Sequence, residues 1–325
     1  MQTEKNASTN SGRNWLTQDT IQKFAAFLSL ILMIIFFSIA TPYFFVFDNL
    51  ITIALQTAVI GIIAIGVTFV IITAGIDLSV GSVLALSGVS TGLAIAAGVP
   101  IFLGVLIGMM VGTIFGFISA WLVSKLNIPP FIATLGLMLV ARGLTLVLTE
   151  GKPVYFNNAP FFKNLSAYKL FGTIPLPVIY FGVIAVIAGF ILKKTAVGRY
   201  IYAVGSNEEA ARLSGINIVK TKFVVYAICG LLSAISGIIL AARLNSAQPT
   251  VGNGYELDAI AAAVIGGTSL MGGEGTILGT IIGAFIMGVL KNGLNLMNVS
   301  QFWQMVAMGL VVIGAVYLDT ARKKK

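Results

Sequence analysis

Five polar residues stand in or beside otherwise apolar stretches, where their side chains could line a path for a polar solute. They are Asp77, Ser79, Arg142, Glu256 and Asp258. A charge within a bilayer is costly unless it is paired or hydrated, so these residues predict a polar pathway or a gate. The acids also admit a structural role, because carboxylates stabilise the start of a helix. Arg142 lies nearer the middle of its stretch and is expected to need a carboxylate partner.

The composition excludes most catalytic and metal chemistry. There is no histidine, and Cys229 is the only cysteine, so zinc sites, disulfides within the chain and histidine-based triads are excluded. No complete phosphate-binding loop occurs, because the nearest fragment, Gly151-Lys152, lacks the first glycine and is followed by Pro153. The sequence therefore predicts no enzyme activity and no cofactor in this chain.

A polar segment, residues 193–222, interrupts the apolar chain, and we call it the island. Within it, Ser206 and Glu209 have the spacing of a capping box, and Gly215 is placed to end a helix two turns later. The pattern predicts a short surface helix over roughly residues 207–214. We expect this helix to transmit force from a soluble partner to the membrane segments.

The overall composition is that of a polytopic membrane protein in a lipid bilayer. Of 325 residues, 58% are hydrophobic and 10% are charged, whereas soluble domains have about 25% charged residues. The net charge of +9 comes mainly from the termini and the island. Because no basic surface interleaved with aromatic residues is present, this charge indicates membrane orientation and not nucleic-acid binding.

The apolar runs predict an all-α fold with ten membrane spans of about 20 residues each. The third and eighth spans are short, glycine-rich and edged by acids, which makes them the candidates for broken or re-entrant segments. The predicted spans are 24–41, 50–73, 78–97, 100–123, 128–148, 174–192, 223–242, 257–272, 276–297 and 301–318.

Basic residues predict the orientation of these spans. An even number of spans places both termini on one side, and positive charges favour the cytoplasm for the tail of residues 1–23, the island and the basic tail of residues 319–325. The transmembrane domain then covers residues 24–318. The loop of about 149–173 lies outside and carries some lysines, which is a weaker bias than the one opposite.

Two features predict how the spans pack. Residues 75–79 align with residues 254–258, which places spans two to five on spans seven to ten in opposite orientation, as in inverted-repeat transporters. A chance match in a glycine-rich chain is the alternative. Glycines four positions apart also predict close helix approach in spans four and nine. These are Gly104, Gly108, Gly112 and Gly116, and then Gly275, Gly279 and Gly283.

Four separated stretches resemble one known family. Glu209-Ala210-Ala211-x-x-x-Gly215 resembles the EAA-type loop of bacterial ABC importer permeases, and GRYIYAVGSNEEAARLSGI resembles their sugar branch. The stretches at 73–88, 243–276 and 291–305 agree with it. From about Phe44 to Tyr317, the chain is similar to the ribose and monosaccharide permease subunits of these importers.

The resemblance implies an inner-membrane homodimer of ten-helix subunits that imports ribose or a related monosaccharide. Its expected partners are a cytoplasmic ATPase, which binds ATP and Mg, and an extracytoplasmic sugar-binding protein. The ATPase is expected to dock on the island helix, where the two alanines leave a flat face, Glu209 caps its own backbone, and Arg212 pairs with Glu208 across the interface. The coupling residues are then Gly205, Asn207, Glu208, Glu209, Ala210, Ala211, Arg212 and Gly215.

Two other interpretations remain open from the sequence. A secondary transporter or channel would work without an ATPase, although the island would then have no evident task. The same class of importer could also carry another small solute, such as a different sugar, an autoinducer or a nucleoside.

Overall fold

A computed structural model describes residues 14–156, 159 and 161–323, and it shows an all-α polytopic membrane protein. The helices are α1 (Asn14–Ala40), α2 (Phe47–Ile72), α3 (Val80–Ala96), α4 (Ile101–Ser124), α5 (Pro130–Thr149), α6 (Asn164–Ala167), α7 (Leu176–Lys194), α8 (Ala196–Ser206), α9 (Glu208–Leu213), α10 (Ile218–Leu244), α11 (Tyr255–Ile265), α12 (Ile277–Leu296) and α13 (Gln301–Lys323). Four two-residue strands are β1 (Val154–Tyr155), β2 (Lys169–Leu170), β3 (Ile174–Pro175) and β4 (Ser246–Ala247).

Each predicted span contains one of these helices, but the helices differ in their ability to cross a bilayer. Six in the described part are long and apolar enough, namely α2, α4, α5, α7, α10 and α12. Three further apolar stretches are shorter, at 26–40, 80–96 and 301–317. With 11 residues, α11 is about 16 Å long and cannot span the apolar core alone.

Helix extends into both predicted tails. Within the described residues, the first helix covers Asn14 onwards, inside the tail predicted for residues 1–23, and the last helix continues to Lys323, inside the tail predicted for residues 319–325. Residues 1–13 and 324–325 of those tails lie outside the described residues.

The centre of the bundle is formed by α2 and α10. The second half of α2 is buried, and α10 packs against α2, α3 and α4. Glycines allow these contacts: a Cβ atom added at Gly112 would lie 2.5 Å from the carbonyl oxygen of Gly230, and one added at Gly283 would overlap the carbonyl of Ala262. The prediction that the glycines of spans four and nine allow close approach of a neighbouring helix is thus confirmed: α4 approaches α10, and α12 approaches α11.

Two non-helical segments, residues 73–79 and 245–254, lead into α3 and α11, and we call them the unwound segments. The second begins where Asn245 ends α10 with a left-handed backbone, and its first residues pair as β4 with β1. The starts of α3 and α11 then meet, because a Cβ atom added at Gly252 would lie 2.5 Å from the carbonyl oxygen of Gly81. The eighth predicted span is helical only as far as Ile265 and is therefore interrupted, as its sequence indicated, whereas the third is one continuous helix from Val80 to Ala96.

Two short antiparallel pairings outside the helices were not predicted. One joins β1 to β4 with Val154 opposite Ala247, and the other joins β2 to β3 with Leu170 opposite Ile174. The first pairing ties the loop between α5 and α7 to the second unwound segment.

Candidate functional site

The island folds into two helices, α8 and α9, of which only α9 was predicted. Its N-cap is Asn207, whose side-chain Oδ1 accepts a hydrogen bond from Ala210 N at 2.9 Å. Ser206 is the last residue of α8, so the predicted capping box is wrong. Asparagine is among the best N-cap residues, and the extended backbone at Asn207 separates the two helices. After α9, Gly215 adopts φ of +83°, which permits the turn that ends the helix.

The charged side chains of α9 have partners within this chain. Glu209 pairs with Arg212 three positions later on the same helix, and Glu208 pairs with Lys222 of α10 at 2.8 Å. The prediction that the Glu209 carboxylate caps the backbone of its own helix is therefore wrong. Its hydrogen bond raises the pKa of the Arg212 guanidinium. Both acids are more than half exposed, so these pairs position the helix on the surface and contribute little to stability.

The two alanines of α9 do not share a face, contrary to prediction. Ala210 is exposed, whereas Ala211 is 4% exposed and packs inward. The surface that α9 presents includes Ala210 and Leu213, whose side chain is 81% exposed. Sequence reasoning missed Leu213, although an apolar residue at the end of a polar helix was a signal for it. Gly205 lies apart from α9, in the last turn of α8.

Helix α5 holds both unwound segments with polar side chains about two turns apart. Thr134 accepts a hydrogen bond from Leu78 N at 3.1 Å and is within 3.2 Å of the carbonyl oxygen of Ile76. Arg142 donates from Nη1 to the carbonyl oxygens of Pro249 at 2.7 Å and Val251 at 2.9 Å.

Arg142 was expected to need a carboxylate partner, and within the described residues its hydrogen bonds go to carbonyl oxygens. These bonds have a simple cause, since an unwound segment inside the bundle exposes carbonyl groups that no helix satisfies. Glu256 is the acid that interacts electrostatically with Arg142. Its Oε1 accepts a hydrogen bond from Gly254 N at 3.2 Å, and its side chain is half-buried.

Asp77 and Ser79 form a buried turn at the start of α3. Asp77 Oδ1 accepts hydrogen bonds from Ser79 N at 2.9 Å and Ser79 Oγ at 2.6 Å. The two residues are 1% and 2% exposed. In this conformation they stabilise the backbone that enters α3 and do not face an open path.

The buried Asp258 carboxylate forms an ion pair with Lys291, whose side chain is 27% exposed, and the pair joins α11 to α12. Asp258 is 3% exposed, and the Lys291 ammonium lies 5.7 Å from the centre of the Tyr255 ring. Lys291 was not predicted as a partner, although a basic residue inside an apolar span was a signal for it. Of the predicted path residues, only Arg142 and Glu256 are partly exposed in the bundle.

The polar side chains of this site hold non-helical backbone inside the bundle. In the described part of the chain, no group of three or more histidine, cysteine, aspartate or glutamate residues is placed to hold a metal ion. The polar groups instead stabilise interrupted helices within an apolar bundle, which is the arrangement in which transporters place their substrate paths.

Comparison with known proteins agrees with this interpretation. Residues 49–316 match the family described as the branched-chain amino acid transport system permease component. The ribose import permease protein RbsC of Haemophilus influenzae is 48% identical, over 90% of this chain and 92% of its own length. The RbsC proteins of Escherichia coli K12 and Bacillus subtilis 168 are 45% and 47% identical, covering 97% and 94% of this chain and 99% and 94% of their own lengths.

No solved structure matches this chain. The family match covers more than half of the chain, and the relatives are similar over nearly their full lengths. The resemblance inferred from the four sequence stretches is thereby confirmed. The chain belongs to the family of branched-chain amino acid transport system permease components, and it is a multi-pass membrane permease of the ABC importer class.

Proposed function

We propose that this chain is the membrane-spanning subunit of an ATP-driven importer of ribose or a related monosaccharide in the bacterial inner membrane. The observation that carries the proposal is the similarity to ribose import permeases, at 45% identity or more over at least 90% of this chain. The unwound segments before α3 and α11 support it, because they bring polar groups and helix starts into the interior of the bundle.

In this proposal the energy comes from partner chains. A cytoplasmic ATPase binds ATP and Mg and docks on the exposed surface of α9, and this chain itself hydrolyses no ATP. The short helix with Ala210 and Leu213 on its surface supports this role, since small and apolar side chains allow close contact with a groove. The residues from Gly205 to Gly215 are the coupling region.

Two copies of the chain form the pore, and an extracytoplasmic sugar-binding protein delivers the substrate. We propose ten spans with both termini and the island in the cytoplasm, and an inverted repeat that relates spans two to five to spans seven to ten. The repeat is supported by the unwound segments, since each precedes a short helix and the starts of these helices are in contact. Arg142 and Glu256 are the path residues that this arrangement favours.

Uptake in cells tests the substrate. Deleting the gene for this chain is expected to abolish uptake of radiolabelled ribose, and its return on a plasmid should restore uptake. A hundredfold excess of unlabelled ribose should block the restored uptake, and an excess of a nucleoside should not. Unchanged ribose uptake in the deletion strain, with loss of uptake of another sugar or a nucleoside, would show the same importer class with a different solute.

A further inference from the structure

The last turn of α8 lies in close contact with two other parts of the chain. A Cβ atom added at Gly205 would overlap the carbonyl oxygen of Ile72, at the end of α2, and would lie 2.6 Å from Gly273 N. Gly273 belongs to the loop between α11 and α12, residues 266–276. Only glycine leaves room for the three backbones to meet here, so the contact depends on residue 205.

Hydrogen bonds connect the same three segments. Gly273 N donates to Ile72 O at 2.9 Å, and the Tyr202 hydroxyl donates to Gly275 O at 2.7 Å. We call this set of residues, Ile72, Tyr202, Gly205, Gly273 and Gly275, the junction. It joins α8 to α2 and to the loop that leads into α12.

The junction connects the exposed island to the centre of the bundle. Only Asn207 separates α8 from α9. On the inner side, α2 is buried from Thr57 to Ile72 and packs against α7, α10, α11 and α12. Ile201 lies on the same face of α8 as Gly205 and is 0% exposed. Helix α8 is therefore packed against the bundle. A displacement of α9 would therefore reach α2 and α12 through a short and well-packed connection.

We infer that the junction passes the movement of α9 to α2 and α12, with Gly205 and Tyr202 as positioning residues that keep α8 against both. The inference rests on the proposed function, because it assumes that a partner ATPase moves α9. Glycine at position 205 permits the contact, and the Tyr202 hydrogen bond holds the loop to α8. Loss of either should separate ATP hydrolysis from sugar movement while the transporter remains assembled.

The test compares coupling in the assembled transporter, reconstituted in vesicles with its ATPase and binding protein. The variants are Gly205→Ala and Tyr202→Phe, and radiolabelled ribose uptake and ATP hydrolysis are measured in the same vesicles. For Gly205→Ala we expect the sugar moved per ATP to fall at least about tenfold, since its added Cβ overlaps backbone. For Tyr202→Phe, we expect a fall of about threefold from one lost hydrogen bond.

Matched controls separate coupling from general damage. Tyr200→Phe alters a tyrosine of the same helix that is 44% exposed, and Gly189→Ala adds a methyl group where no atom lies within 4 Å. Both should retain normal coupling. If Gly205→Ala does not assemble, Tyr202→Phe decides between the outcomes. Normal sugar-to-ATP ratios in the assembled variants would overturn the junction alone. Wild-type uptake that needs no ATP would contradict the proposed function, and the inference would fall with it.

Discussion

The charged residues inside this bundle show how a permease can carry charge in an apolar core. Asp258 is neutralised by Lys291, and Arg142 is held by two carbonyl oxygens of an unwound segment. Each group stabilises a place where a helix is interrupted or begins. The charged residues, Lys291 included, were identifiable from the sequence because charges are rare in apolar runs. Which groups pair was not, since Lys291 and the carbonyls are distant along the chain from Asp258 and Arg142.

Removing one partner of the buried pair should destabilise the protein more than removing both. Asp258→Asn leaves Lys291 without its carboxylate, and we expect a loss of about 3 kcal/mol of stability. Adding Lys291→Gln should recover part of that loss. Thermal unfolding of the purified variants in detergent measures these changes in stability. The exposed pair of Lys152 and Glu150 provides the control, because Lys152→Gln should change stability by less than about 1 kcal/mol. Equal losses of stability at the two pairs would show that the pair of Asp258 and Lys291 stabilises the protein no more than an exposed ion pair does.

Arg142 should matter for transport because it fixes the second unwound segment to α5. Arg142→Gln retains a shorter donor but loses the charge and the hydrogen bonds to both carbonyls. We expect ribose uptake to fall at least about tenfold, because one charge-assisted hydrogen bond alone contributes about 1.5–3 kcal/mol. Membrane insertion, measured by the amount of protein in washed membranes, should be unchanged. Leu139→Ala, on the same helix at a position 65% exposed, should transport normally. Normal uptake by Arg142→Gln would remove this residue from the path.

At the scale of elements, α9 was predicted and α8 was missed. The sequence marks α9 with an asparagine, two acids, two alanines and a glycine stop, which are local signals. The position of Asn207 just before the acids decided the cap in its favour over Ser206. In α8 a local signal was missed: Thr195 caps the helix by accepting a hydrogen bond from Gly198 N. Val197, Ile201 and Val204 follow at helical spacing, and Ile201 and Val204 are buried against the bundle.

The two alanines of α9 should respond differently to a bulky side chain. Ala210→Trp changes only the exposed surface, so we expect normal insertion and loss of ATP-dependent uptake, because the ATPase can no longer fit against α9. Ala211→Trp replaces a residue that is 4% exposed, so the fold of the island should suffer first. Co-purification with the ATPase and protease resistance of the island distinguish the two. Unimpaired transport by Ala210→Trp would exclude this face as the docking surface.

At the scale of the whole molecule, the order of the apolar helices follows from hydropathy, since apolar runs of this length have few alternatives in a membrane. The number of helices does not, because the described residues form thirteen helices and six of these are long and apolar enough to cross a bilayer. The interruption of span eight could also be anticipated from its glycines and acids, whereas span three, with the same signals, is a continuous helix preceded by an unwound segment. The contacts of the unwound segments could not be anticipated, because the meeting of Gly81 with Gly252 and the hydrogen bonds from α5 depend on how distant segments pack. The same holds for the contact between α8 and the end of α2.

The most direct test of the central claim is uptake of radiolabelled ribose into vesicles that contain this chain alone or together with its ATPase and sugar-binding protein. We expect accumulation only in the complete assembly supplied with ATP and Mg, and none when a non-hydrolysable ATP analogue replaces ATP. Equal uptake by the chain alone, without ATP, would contradict the claim and indicate a channel or a secondary transporter.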